Sequence, residues 1–150
     1  MIAVVQRVSE ASVKIDDNIK GEIGLGFMVL LGVSHDDEEE DAEWICKKIV
    51  GLRIFSDSDA KLNLDIKQAG GDILLISQFS LQASTKKGNR PSFINAARPE
   101  KAIPLYEKVL SLLSLGLGKN IPSGEFGADM KVSLVNDGPM TIVLDSKDKK

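Results

Sequence analysis

Two short stretches, Phe27-Met28-Val29-Leu30-Leu31-Gly32-Val33 and Ile73-Leu74-Leu75-Ile76, are apolar at nearly every successive position. A strand with one wet face alternates apolar and polar residues, so strands without alternation must be covered on both sides. Both stretches are therefore expected as central core strands. The chain has 150 residues, the size of one domain over 1–150. A domain of that length buries roughly 68–70% of its unfolded surface, enough for a core of this kind.

Flanking segments read as lighter structure. Ile2 to Val8 and Ala11 to Asp16 are β-rich, with Asp17-Asn18 as turn residues, and a short strand is expected around Lys20 to Ile23. Asp36 or Asp37 can cap a helix that has Glu40 in the capping-box position. Ala42, Ile45, Cys46 and Ile49 then follow at helical spacing to about Val50. Leu62 to Ile66 is a short strand or an irregular piece. A second helix starts with Pro99 and turns Ala102, Leu105, Tyr106, Val109, Leu112 and Leu113 inward, with Pro104 expected to kink or delay it. Met130 to Val135 and Met140 to Asp145 read as two strands around Asn136-Asp137-Gly138-Pro139, and residues from about 146 to 150 as a frayed tail.

The charge pattern and the chemistry-bearing residues narrow the function. Seven of the 22 acids lie between Asp36 and Glu43, which leaves 15 acids against 19 bases elsewhere, so a net charge of −3 does not exclude an anionic partner. The acid run at the helix start, with Lys47 and Lys48 near its end, suits the helix dipole and reads as a solvated face. One cysteine, Cys46, makes no intramolecular disulfide and lies on an apolar stripe. The single histidine, His35, precedes the acidic helix, so a nucleophile–histidine device is an unfavourable reading. No metal-ligand or cofactor motif is present: Gly21-Glu22-Ile23-Gly24-Leu25-Gly26 has the wrong order for a dinucleotide fingerprint, and Gly116-Leu117-Gly118-Lys119 lacks phosphate-loop spacing. No apolar run approaches the ~18 residues of a membrane span, and no targeting signal opens the chain, so a cytosolic protein without membrane partner is expected.

What remains is Ser77-Gln78-Phe79-Ser80, where polar side chains enter an apolar register, the Gly138-Pro139 turn, and a basic loop with Lys86, Lys87 and Arg90. From spacing alone each has an ordinary structural explanation: a strand emerging into water, a hairpin turn, a solvated surface.

Taken in order along the chain, six blocks resemble the D-aminoacyl-tRNA deacylase family, also called D-tyrosyl-tRNA deacylase. They are Ala3-Val4-Val5-Gln6-Arg7-Val8, Leu52-Arg53-Ile54-Phe55, Ser77-Gln78-Phe79-Ser80-Leu81, Lys87-Gly88-Asn89-Arg90-Pro91-Ser92-Phe93, Gly124-Glu125-Phe126-Gly127-Ala128-Asp129-Met130 and Asn136-Asp137-Gly138-Pro139-Met140-Thr141. The resemblance implies a single α/β domain layered helix, sheet, sheet, acting as a cytosolic homodimer. Such a protein hydrolyses the ester joining a D-amino acid, or glycine, to the 3′-terminal adenosine of tRNA, without cofactor or metal. It implies that Ser77 to Ser80 line the aminoacyl pocket with main-chain oxyanion donors, and that Gly138-Pro139, with a cis peptide, reaches into the partner's pocket as a chiral filter. It further implies that Arg7 orients that turn, that Phe126 packs on the terminal adenine, and that Lys86, Lys87 and Arg90 face the tRNA. The family usually has threonine where this chain has Ser80, so the hydroxyl is kept and the β-branched methyl is not. The competing class is a non-catalytic nucleic-acid-binding module that uses Lys86, Lys87, Arg90 and Arg98 on phosphates.

Overall fold

The computed structural model describes residues 1–150. Its spine is β1 (Ile2–Ile15), one unbroken strand rather than the two short ones expected. After β1 the chain turns at Asp16 and Asp17, both at positive φ as a tight hairpin turn of matching twist requires, into β2 (Asn18–Ile23) and then β3 (Gly26–Gly32). There follow α1 (Glu39–Gly51), a small pair β4 (Phe55–Ser56) and β5 (Leu62–Leu64), then β6 (Asp72–Ser77), α2 (Pro99–Leu117) and β7 (Lys131–Asp145).

One edge of β1 is shared. Its first half, Ile2 to Val8, pairs with β3, and its second half, Ala11 to Ile15, pairs with β2, while β6 runs parallel to β3 on the far side. The other edge is occupied by β7 alone, antiparallel over the whole length of β1. Bulges at Arg7 and Ser9 bend β1, and the sheet curls so that its two halves face one another across a small core.

That curl explains the two fully apolar strands. Phe27, Val29, Leu31, Ile73 and Leu75 face the helices in the main core, with Phe27 stacked on Phe55 at 5.1 Å between ring centroids. The intervening Met28, Leu74 and Ile76 face the other way and pack with Val8, Ala11, Val13 and Ile23 inside the curl. Each such side chain contributes roughly 1.5–3 kcal/mol by leaving water, on whichever face it lies.

The two helices lie side by side on one face of the sheet and run parallel. Glu38 pairs with Lys101 at the N-terminal ends, and Gly116 approaches Val50 at the C-terminal ends. Cys46 is buried between them, and burial pushes its thiol up to about 12. Pro104 lies inside an uninterrupted α2, contrary to the expected kink: Pro104 and Glu100, whose carbonyl loses its partner, are both exposed, so water can satisfy that carbonyl.

The start of α1 also differs from expectation. Glu38 is the N-cap and Asp41, not Glu40, closes the box by accepting the Glu38 N–H at 2.8 Å. Asp36 and Asp37 are otherwise engaged. The Asp36 carboxylate takes the Ser34 hydroxyl at 2.6 Å, and that hydrogen bond holds its carboxyl below the usual range. Asp37 is fully buried and accepts the Met1 amino group at 2.5 Å and the Ser34 N–H at 2.7 Å. Nor does the tail simply fray. Ser146 is buried, its Oγ accepts from the Met1 amino group at 2.8 Å, and Lys147 Nζ donates to Asp41 at 2.8 Å.

Asp41 makes the acid limb of stability testable. Burial works against its charge, but hydrogen bonds from Lys147, Ser146 and the Glu38 N–H outweigh burial and hold its carboxyl at about 2, against an ordinary 3.8. A carboxyl depressed in the folded state adds stability that is complete above the ordinary value and lost as pH falls through the folded one. Asp41→Asn is therefore expected to flatten the loss of stability between about pH 4 and pH 2, measured by urea unfolding; parallel curves for variant and parent would contradict the assignment.

Candidate active site

The hydroxyl-rich segment does not continue as a strand. β6 ends at Ser77, and Phe79–Gln82 form a single 3-10 turn. The last two residues of β3 hold this turn in place: the Gln78 N–H donates to the Leu31 carbonyl at 2.8 Å, and Gln82 Nε2 donates to the Gly32 carbonyl at 3.1 Å. The approach is so close that a Cβ on Gly32 would stand 2.8 Å from Leu81 Cβ and 2.9 Å from the Gln78 carbonyl oxygen, which is why a glycine ends β3. The first N–H groups of a 3-10 turn have no partner within it, so those of Phe79 and Ser80 are the donors this arrangement leaves for a ligand. Gln78 Nε2 donates to Ser80 Oγ at 2.5 Å and fixes that hydroxyl.

Three other segments complete a half-open pocket of about 490 Å³ beside this turn. Residues 95–97 pair with the extension of β3, the Ala97 N–H donating to the Val33 carbonyl at 2.9 Å, and bring Ala96 and Ala97 to the wall. Pro99 places the first turn of α2, the positive end of its dipole, at the rim. The third segment runs along the free edge of β6, where the Leu75 N–H donates to the Pro122 carbonyl at 3.0 Å and the Gly124 N–H to the Leu75 carbonyl at 3.1 Å. It delivers Phe126 through Met130. Phe126 is half-buried and rests edge-on against Tyr106, 6.2 Å between centroids.

Ser77, Gln78, Phe79 and Phe126 thus line one pocket, with Ser80 one hydrogen bond behind. The cations Lys86, Lys87 and Arg90 do not line it. They stand exposed on a loop closed by reciprocal Ser84–Ser92 backbone bonds, next to Phe93, whose ring meets Phe79 at 5.0 Å. Ala96 and Ala97 line the pocket without having been singled out by sequence, since small residues carry no pattern of their own, and Asp129 and Met130, quoted only as part of the Gly124 to Met130 block, line it too.

Arg7, Gly138 and Pro139 form a separate group. Asn136 to Pro139 is not a hairpin turn: both halves of β7 pair with β1, and four residues, Asp137 to Met140, loop out opposite the single Arg7 between the pairs Gln6–Thr141 and Val8–Asn136. The Asn136 side chain meets Thr141 Oγ1 at 3.3 Å across the mouth of this excursion, and Gly138–Pro139 is cis and exposed at its tip. Arg7, with a largely buried side chain, grips it from below: Nε donates to the Asp137 carbonyl at 3.2 Å, while Nη1 donates to the Ile54 carbonyl at 2.6 Å.

The chemistry open to the pocket follows from its lining. Asp129 is the sole titratable residue there, well exposed and paired with Lys131 at 2.9 Å. Tyr106, beneath Phe126, has its hydroxyl pushed up to about 12 by burial and donates to the Leu75 carbonyl at 3.1 Å. So raised, the Tyr106 hydroxyl supplies no proton acceptor near neutral pH. The arrangement defines a domain with a half-open pocket at a strand end, lined by hydroxyl-bearing and apolar residues and flanked by the free N–H groups of a 3-10 turn. Comparison with known sequences narrows this class: the family model for D-Tyr-tRNA(Tyr) deacylase matches residues 4–145, and the chain belongs to that family. Proteins named D-aminoacyl-tRNA deacylase from Phocaeicola vulgatus and Bacteroides thetaiotaomicron are 56% and 57% identical to it over 150 residues, covering all of each chain. A solved structure titled c-Myc DNA Unwinding Element Binding Protein is 40% identical with a TM-score of 0.91, over 97% of this chain and 98% of that one. A probable eukaryotic D-amino acid tRNA deacylase, 17% identical with a TM-score of 0.81 over 95% and 97% of the two chains, shares the fold.

Proposed function

We propose that the protein is a D-aminoacyl-tRNA deacylase, hydrolysing the ester between a D-amino acid and the 3′-terminal adenosine of tRNA and releasing both. The observation that carries this is the pocket at the end of β6 in a chain matched end to end by relatives of that name. An aminoacyl ester is already activated, so a site without a base can suffice: the Phe79 and Ser80 N–H groups meet the negative charge on the carbonyl oxygen as water adds. One such donor is worth roughly 10²–10³ in rate. The 2′-hydroxyl of the terminal ribose takes part in moving the proton, which leaves the protein to position and stabilise. Glycyl-tRNA is a second substrate, because glycine has no side chain to reject.

Selectivity requires two copies. The Gly138-Pro139 tip of one copy enters the pocket of the other and fills with backbone the space an L side chain would need. Support comes from the exposed tip, which lies outside its own chain's pocket, and from β7, whose outer edge is unpaired and carries the exposed Val135 and Val143. No helix is long and apolar enough to cross a membrane, and a cytoplasmic location fits a translation substrate.

Single-turnover release of labelled amino acid from D-Tyr-tRNA, L-Tyr-tRNA and Gly-tRNA, with and without EDTA, tests the reading. Rapid release from the D and glycyl substrates only, unaffected by chelator, is expected. The 40% identical DNA Unwinding Element Binding Protein and the exposed Lys86, Lys87 and Arg90 favour a second reading, a nucleic-acid-binding module, and tRNA binding without release from any substrate would establish it instead. Phe126→Ala is expected to raise KM roughly 5- to 150-fold with kcat little changed, since base stacking on an aromatic is worth about 1–3 kcal/mol. An unaltered KM would remove Phe126 from adenine binding.

A further inference from the structure

Away from the pocket, the C-terminal end of α1 and the segment after it form a groove of about 330 Å³ lined by Lys47, Lys48, Gly51, Leu52 and Arg53. Three cations line it and no acid does. None of the three makes an ion pair, Glu43 one turn up included, although nine such pairs occur elsewhere in the chain. The two lysines suit the negative end of the helix dipole, but Arg53 lies beyond the helix and that field does not explain it. Arg53 is held in place: Nε donates to the Asn63 carbonyl at 2.8 Å and Nη2 to the Asn63 side chain. With two of about five N–H donors used, the remainder of its fork is free for an anion.

The position of the groove says which anion. Leu52 and Arg53 run directly into Ile54, whose carbonyl receives Arg7, and Arg7 in turn carries the Gly138-Pro139 tip. The groove and the tip therefore share one edge of the molecule. In the two-copy arrangement proposed above, a tip that enters the second copy's pocket brings this edge, and the groove with it, toward that pocket. We propose that Lys47, Lys48 and Arg53 of one copy hold backbone phosphates of the acceptor stem of the tRNA whose 3′ end occupies the other copy's pocket. This rests on the two-copy arrangement proposed above. In a chain of net charge −3 a polyanion needs such a local positive surface, and contact with phosphates requires no particular RNA sequence.

The test compares the parent, Lys47→Ala with Lys48→Ala, and a charge-matched control, Lys14→Ala with Lys20→Ala, on exposed positions of β1 and β2. The probe is uncharged tRNA, titrated across a salt series. Removal of the groove lysines is expected to weaken binding about tenfold and to reduce the slope of log K against log salt by roughly 1.4–1.8, at about 0.7–0.9 per phosphate contact. The same variant is expected to cleave D-aminoacyl-adenosine, which has the ester but no phosphate, at the parent's rate. Parental affinity and slope in the groove variant, or equal weakening by the control pair, would overturn the proposal. Loss of tRNA binding on groove mutation in a protein that cleaves neither ester would leave the groove standing and remove the deacylase reading.

Discussion

Gly138→Ala is expected to reduce kcat/KM for a D-aminoacyl-tRNA by about 100-fold, or to abolish the D-to-L preference, while the fold survives. The residue sits at φ +119, where an L side chain is strained by about 1–3 kcal/mol, and an added Cβ would stand 2.6 Å from Arg7 Nη2. One of the two must move. Arg7 cannot withdraw without giving up the Ile54 carbonyl at 2.6 Å or the Asp137 carbonyl at 3.2 Å, so the tip shifts instead. A displacement of about 1 Å in a positioning element can cost about 10²-fold in rate, and in the two-copy site proposed above the tip's carbonyls would lose their aim at an L side chain together with it. Asp137 to Pro139 are exposed and lie outside both cores, so the thermal midpoint is expected to change little. Single-turnover rates on D- and L-Tyr-tRNA decide the matter: parental rates and an unchanged ratio would show that the tip plays no part in selection.

The same excursion shows where reading the sequence stops. Asp137-Gly138 between alternating apolar residues is sound local evidence for a hairpin, yet both flanking strands pair with β1, more than 100 residues away in the chain. Local turn chemistry carries no information about a partner at that separation, and the same limitation divided β1 in two at what proves to be a bulge. The fully apolar β3 and β6 were legible because their composition records burial itself, whatever covers each face. The helices were legible because the apolar spacing of Ala42 to Ile49 and of Ala102 to Leu113 is a local signal. The capping residue of α1 was not, because Asp37 serves a contact with Met1 that no window of sequence contains. Within the site, Ser77 and Gln78 announced themselves by polarity in an apolar register, whereas Ala96 and Ala97 reach the pocket only through pairing with the extension of β3.

Asp37→Asn is expected to be the most destabilising of the changes considered, by about 3–5 kcal/mol, because it removes one charge of a fully buried pair and leaves the other. The Asp37 side chain is 0% exposed, and its bond to the Met1 amino group is buried. Its second oxygen accepts the Ser34 N–H, so one carboxylate fastens the start of β1, the end of β3 and the approach to α1. Asparagine keeps the size and one acceptor oxygen but presents an N–H₂ group where the other oxygen was, so either the ammonium or the Ser34 N–H loses its partner. The Met1 amino group retains only Ser146 Oγ at 2.8 Å, a neutral acceptor. Lys147, 3.9 Å from Asp37, also loses part of its anionic surroundings, which loosens the tail over α1. At about 2–4 °C per kcal/mol for a domain of this length, the midpoint should fall by roughly 6–20 °C. Activity below the new midpoint should be near the parent's, since the pair lies outside the pocket lining and away from the Gly138-Pro139 tip. A shift below about 2 °C would mean that the buried pair only offsets its own desolvation and that hydrophobic packing alone anchors this corner of the sheet.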